Sequence, residues 1–262
     1  MSELKERLLA LRGQSGAVTA TRGITGNEIG SRLRGLLRTR SRSSIPLQAP
    51  AGIEVAPSVW LVEEILCDDD DTPILAPDSE GLTIARERLI CFDTETTGLA
   101  GGVGTKAFMI GMAYWRNRAL NMRQYYLTAL GGEPAMLRHF TESLPEDPVF
   151  VSYNGKSYDV PLLKGRFRIN RQAHPFDERQ HIDLLHPVRR RYRGFWENCR
   201  LQTIEREVLK VVREDDLPGS EAPAAWLAFL RGQSNRALAR VIDHNRQDLL
   251  SLARLLVHVA LT

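Results

Sequence analysis

Residues 91–108 read CFDTETTGLAGGVGTKAF: an apolar start, Asp-Thr-Glu, then a glycine-rich stretch closed by a lysine. Two chemistries compete for it. One is a phosphate-cradling loop; the other is the opening of a metal site with Asp93 and Glu95 as ligands. A phosphate loop of the G-x4-G-K-[ST] type places lysine directly after the last glycine, then a hydroxyl, at the mouth of a helix whose amides face the phosphates. Here Thr105 separates Gly104 from Lys106, Ala107 replaces the hydroxyl, and KAFMIGMAYW reads as a strand. The glycines are therefore read as a hairpin connection between strands.

Asp93 and Glu95 stand two apart at the end of RLICFDTE, a short apolar run with strand character. Period-two geometry points both side chains to one face, where two carboxylates repel unless a cation joins them. Alone, such a pair serves equally well as solvated surface. A second acid, Asp159, lies in SYNGKSYDVPLL, after the strand PVFVSYN and the Asn154-Gly155 turn. It falls in the first turn of a helix, where a single aspartate finds sufficient reason in the helix dipole. A third segment, DHNRQDLLSL, sets His244 and Asp248 four apart, about 40° around a helix and so on one face. Leu249, Leu250, Leu252 and Leu255 bury that helix and leave Asp248 near the rim. Taken together, Asp93, Glu95, Asp159 and Asp248 are four hard oxygen ligands on three separate elements, a set suited to Mg²⁺ or Mn²⁺ rather than zinc. Two such ions about 4 Å apart clamp the attacking and leaving oxygens of a phosphodiester. His244 is of the right type to take a proton from the attacking water.

The motifs DTETTGL, NGKSYDVPLL and HNRQD, in this order, resemble the three exonuclease motifs of the DEDD superfamily, whose fold is ribonuclease-H-like. The loop TGLAGGVGTKAFMIG, the segment HIDLLHPVRRRY and the segment CRLQTIEREVLKVVREDDLPG are similar to the YprB-like branch of that superfamily, over roughly residues 50–260. The resemblance implies an α/β fold with a five-stranded mixed sheet flanked by helices. It also implies two bound divalent ions, Mg²⁺ or Mn²⁺, and 3′–5′ hydrolysis of DNA or RNA. By motif position Asp93, Glu95, Asp159 and Asp248 become the metal ligands, with His244 as the catalytic base. One departure is visible: histidine-type members place the histidine five residues before the last aspartate, whereas His244 is four before Asp248, the tyrosine-type spacing. Thr105, Lys106, Asn154 and Tyr158 are the substrate-contact candidates, for phosphate and terminal-nucleotide contacts. Asp183 is assigned to support of the site or to capping of the next helix. The cluster Arg189, Arg190, Arg191 and Arg193 is read equally as a nucleic-acid track or a solvated face. A structure-selective endonuclease and a non-catalytic nucleic-acid-binding module stand as alternatives.

Composition bounds these readings. The chain has 262 residues, 43% hydrophobic and 26% charged, which is ordinary for a globular protein. Residues 1–45 hold nine Lys/Arg against three Glu, a balance of +6 in a chain whose total is +3. The expected organisation is a basic, partly flexible N-terminal arm at 1–45 and one catalytic domain at 46–262, with 58–66 (SVWLVEEIL) as an edge strand or a short helix. The run Asp68–Asp71 is read as an exposed turn. The three cysteines are too few and too far apart for a disulfide framework or a zinc pair. Neither a signal peptide nor an apolar membrane span is evident, so a cytoplasmic location, nucleic acid as partner and no membrane are the expectations. The sequence names no protein partner.

Overall fold

The computed structural model describes residues 48–67, 72–76, 83–98 and 104–261. The basic arm, the 68–71 acidic run and the centre of the glycine loop lie outside the described residues. Nine strands are described: β1 (Ile53–Ala56), β2 (Val59–Cys67), β3 (Ile74–Leu75), β4 (Thr83–Ile84), β5 (Leu89–Thr96), β6 (Ala107–Arg116), β7 (Ala119–Leu127), β8 (Val149–Ser152) and β9 (His181–Asp183). The helices among them are α1 (Glu133–Glu142), α2 (Asp159–Ile169), α3 (Leu185–Tyr192), α4 (Leu201–Ile204), α5 (Ala222–Leu230) and α6 (Arg236–Leu261). A π-helical turn, Glu205–Leu209, continues α4. No helix among the described residues is long and apolar enough to cross a membrane.

The main sheet runs β1-β2-β7-β6-β5-β8-β9. Pairing is antiparallel from β1 to β5 and parallel across β5, β8 and β9. The expectation of five strands is therefore corrected to seven. Residues 58–66 are neither a helix nor an edge strand: β2 pairs with β7 over nine residues and carries β1 on its other side. Its alternating exposure follows from the period-two pleat, which turns successive side chains to opposite faces of the sheet. β9 has three residues, too few for a period to register in the sequence. The β6–β7 hairpin turns on Asn117 and Arg118, both at positive φ (54° and 57°), as a two-residue turn matching the strand twist requires.

β5 is central and buried on both faces. Ile90 and Phe92 enter one apolar cluster, with Phe108, Phe150 and Trp226; Leu89 and Cys91 enter the other, with Val151, Leu249 and Leu252. Burying each such side chain contributes about 1.5–3 kcal/mol. Phe108 stacks on Trp226 at 4.9 Å, and the indole Nε1 donates to the Leu127 carbonyl at 2.7 Å. Cys91 is a wholly buried core thiol, and all three cysteines are free. The apolar run of β5 ends at Phe92, so Asp93 and Glu95 emerge at the strand's carboxyl end, anchored by the core behind them.

Candidate active site

Asp93 faces Gly111 across the β5–β6 pairing, and Gly111 faces Gln124 across β6–β7. Asn245 of α6 lies over this row. Its amide nitrogen donates to Asp93 Oδ2 at 2.8 Å, and its Oδ1 accepts from Gln124 Nε2 at 2.9 Å. Gln124 Nε2 also donates to the Ile242 carbonyl at 2.8 Å. Asn245 is 0% exposed and Gln124 3%, so each polar group needs these partners. A Cβ at position 111 would stand 2.1 Å from Asn245 Oδ1. The glycine is what lets the helix lay an amide on the sheet and fix Asp93.

Asp159 opens α2, as its position in the sequence implies, and accepts a hydrogen bond from Thr94 Oγ1 on β5. Gly155 and Ser152 pack beneath it: a Cβ on Gly155 would come within 2.5 Å of Ser152 Oγ. Asp183 ties this loop down. Its Oδ1 accepts from the Asn154 amide at 2.7 Å and the Leu185 amide at 3.1 Å, and its Oδ2 from the Lys156 amide at 3.1 Å. Asp183 thus both caps α3 and supports the turn before Asp159, the two roles expected of it.

Asp248 and His244 share a face of α6. His244 Nε2 stands 3.6 Å from Asp248 Oδ2, and Nδ1 stands 2.7 Å from Asp216 Oδ1. Arg213 bonds Asp248, is held by Glu205 at 2.6 and 2.7 Å, and reaches Asp216 at 3.1 Å. Glu205, 1% exposed, in turn accepts from Ser251 Oγ.

The electrostatics follow from this geometry. Burial raises Asp93 and Glu95 well above the ordinary carboxylate range, and the charges of Asp248 and Asp159 raise both further. Asp159 is pushed up to about 6, by burial first, with the Thr94 hydrogen bond opposing. Burial also raises Asp248, against the pull of Arg213 and His244. The four carboxylates therefore feel one another across a common space. Among the described residues no Lys, Arg or His pairs with Asp93, Glu95 or Asp159. As they stand, no three Asp, Glu, His or Cys side chains among the described residues close around a point as a metal shell. Asn245, Thr94 and Arg213 hold three of the carboxylates instead. The donor set itself, one buried and three half-buried carboxylates, consists of hard oxygens of the kind that accepts a divalent cation.

The substrate-contact candidates are divided. Thr105 and Tyr158 line a cavity of about 370 Å³ together with Thr94, Thr96, Gly98, Asp159 and Leu162. Tyr158 is 63% exposed. Asn154 sits at positive φ (67°) in the turn before it. Lys106 goes elsewhere: its ammonium is 3.1 Å from Glu133 Oε2, on the side of α1. Sequence reasoning did not single out Asn245, Gln124, Gly111, Arg213, Glu205 or Asp216. Asn245 lay in plain sight between His244 and Asp248, and Arg213 and Asp216 lay inside KVVREDDLPG.

A ribonuclease-H-like α/β sheet with acidic side chains on β5, α2 and α6 defines the class. The description "RNase_H superfamily" matches residues 90–260, and the chain belongs to that superfamily. The branch-level resemblance holds as well. The chain is 36% identical over 176 residues to the protein YprB of Bacillus subtilis (strain 168), across 67% of this chain and 42% of that one. The chain thus spans less than half the length of that relative. Solved structures with a weaker likeness include the family B DNA polymerase of the hyperthermophilic archaeon Pyrobaculum calidifontis (14% identity, TM-score 0.49, 76% of this chain and 28% of that one). Another is exonuclease I in complex with the inhibitor BCBP (14% identity, TM-score 0.39, 63% of this chain and 45% of that one). Likeness at this level leaves the activity to be argued from the site.

Proposed function

We propose that this protein is a metal-dependent nuclease that hydrolyses phosphodiester bonds, acting as a 3′–5′ exonuclease on DNA or RNA. The observation that carries the reading is the carboxylate cluster: Asp93, Glu95, Asp159 and Asp248 come from three elements, the charges of Asp159 and Asp248 raise the pKa of Asp93 and Glu95, and only Asp248 of the four is ion-paired among the described residues. These four would hold two ions, Mg²⁺ or Mn²⁺, which when bound neutralise the phosphate and acidify the attacking water. Asn245 keeps Asp93 aimed, and Thr94 keeps Asp159 aimed. His244 Nε2 accepts a proton of the water as its oxygen attacks phosphorus, and the bond to the 3′ oxygen of the preceding nucleotide breaks, that oxygen taking a proton from solvent to leave as the new 3′ hydroxyl. The cavity beside Asp159 takes the terminal nucleotide, with Tyr158 as a stacking surface contributing about 1–3 kcal/mol per base. Thr105 lines the same pocket, and Asn154, in the turn before Tyr158, is the remaining candidate contact for the terminal nucleotide. Lys106 fits a substrate role less well, because Glu133 already holds it. The exposed arginines 189, 190, 191 and 193, beside the exposed ring of Phe195, offer a surface for the phosphate backbone. On this reading residues 46–262 form the catalytic domain, and the arm at 1–45 adds attraction for nucleic acid that is independent of sequence.

End-labelled DNA and RNA strands, incubated with Mg²⁺, Mn²⁺ or chelator, test it. The expected result is metal-dependent loss of nucleotides from the 3′ end, stopped by a 3′ block and absent in Asp93→Asn. Cleavage that continues past a 3′ block makes the protein an endonuclease. Binding without cleavage under every metal makes it a nucleic-acid-binding module.

A further inference from the structure

The stretch between the π-helical turn and α5 brings Arg213 and Asp216 against His244. Asp216 accepts through both oxygens: Oδ1 is 2.7 Å from His244 Nδ1, and Oδ2 is 3.1 Å from Arg213 Nη1. Burial works against its charge, but the bond and charge of His244 and those of Arg213 prevail and hold its pKa below the ordinary range. An ionised carboxylate accepts and never donates, so the proton between the two groups resides on Nδ1. Arg213 Nη1 also stands 3.2 Å from Nδ1, but two donors form no hydrogen bond, so Arg213 engages Asp216 and not the ring. In the neutral imidazole that assignment leaves Nε2 as the lone-pair nitrogen. It is also the nitrogen on the carboxylate side, 3.6 Å from Asp248 Oδ2.

We propose that Asp216 is a positioning residue that acts through His244, fixing the imidazole with its proton on Nδ1 and its Nε2 lone pair towards the carboxylates, while Arg213, itself held by Glu205, fixes Asp216. The arrangement rests on the nuclease reading for its use in catalysis, but the tautomer exists with or without activity. Fixing the tautomer of a proton-accepting histidine is a separate task from holding the ring in place.

The test is ¹⁵N NMR of histidine-labelled protein at about pH 8.5, well above the ordinary imidazole pKa of about 6.5. His244→Gln assigns the His244 signals. Wild type is expected to show the Nδ1–H form at His244. Asp216→Ala is expected to shift that residue alone towards the Nε2–H form. Asp216→Asn, whose amide oxygen still accepts, is expected to retain the Nδ1–H form in part. In the cleavage assay Asp216→Ala is expected to lower kcat about 10–100-fold with KM nearly unchanged, and Asp216→Asn to recover part of the loss. An Nε2–H tautomer in wild type, or an unchanged tautomer in a folded Asp216→Ala, overturns the proposal. The expected tautomers in a protein that cleaves nothing would sink the nuclease reading and uphold the positioning.

Discussion

Two buried acidic sites in this molecule are treated in opposite ways. Glu133, at the start of α1 and 2% exposed, receives two bonds of 2.6 Å from Arg166, one of 3.1 Å from Lys106 and one of 3.2 Å from Asn170. Burial opposes its charge, yet these partners prevail and its pKa falls. Asp93 is half-buried and Glu95 buried on β5; burial and the charges of Asp248 and Asp159 raise both pKa values, and Arg213 only partly opposes the rise at Glu95. The first cluster is electrically complete and ties α1 to α2. The second holds more negative charge than the described residues balance. Buried charge is tolerated when paired; unpaired acids in a cleft are the pattern that the proposed divalent ions would complete.

That contrast can be broken from either side. The largest effect is expected from Asp93→Asn, which should reduce metal-dependent cleavage to background while the fold persists, measured by single-turnover kinetics and circular dichroism. Next, Glu133→Ala removes the carboxylate that Arg166, Lys106 and Asn170 share, and breaking a buried pair costs roughly 3–5 kcal/mol. At about 2–4 °C per kcal/mol for a domain of this size, Tm should fall by about 10 °C, with little change in turnover per folded molecule. A large loss of turnover with an unchanged Tm would erase the distinction between the two sites. Gly111→Ala should displace Asn245 from Asp93 and slow cleavage about 10–100-fold, the usual cost of removing a group that orients a ligand.

The smallest effect is on stability without metal. Asp159 titrates at about 6 in the folded chain, above its unfolded value, so the folded state holds a proton that the unfolded state has lost. Stability therefore falls as pH rises from about 4 to about 6, and Asp93 and Glu95 extend the fall to higher pH. Urea unfolding in chelator across that range should show the decline, and Asp159→Asn should flatten it.

Much of this was legible in the residues. The apolar run before Asp93 and its break at Phe92 marked a central strand. The glycine loop was separated from a phosphate loop by the position of Lys106, by Ala107 in place of a hydroxyl, and by the strand that follows. The four acids drew meaning from one another, and the structure brings them to one end of the sheet. What stayed hidden depended on pairing at long range. SVWLVEEIL fits a strand or a helix until β1 and β7 flank it. Lys106 looked free for a phosphate because Glu133, 27 residues on, gives no local sign of claiming it. Gly111 read as one small residue in an apolar strand, and only the helix laid over it reveals why a side chain is excluded. Arg213, Glu205 and Asp216 meet across irregular backbone, where no period predicts a neighbour.

The central claim is that the β5 cluster is short of a cation that a divalent ion supplies. Titrating Mn²⁺ into the metal-free protein, with free aquo-Mn²⁺ followed by electron paramagnetic resonance, tests it directly. Wild type should remove Mn²⁺ from solution and gain thermal stability as it does so. Asp93→Asn should lose most of that binding, and Glu133→Gln should keep it. Equal Mn²⁺ uptake by wild type and Asp93→Asn would contradict the claim.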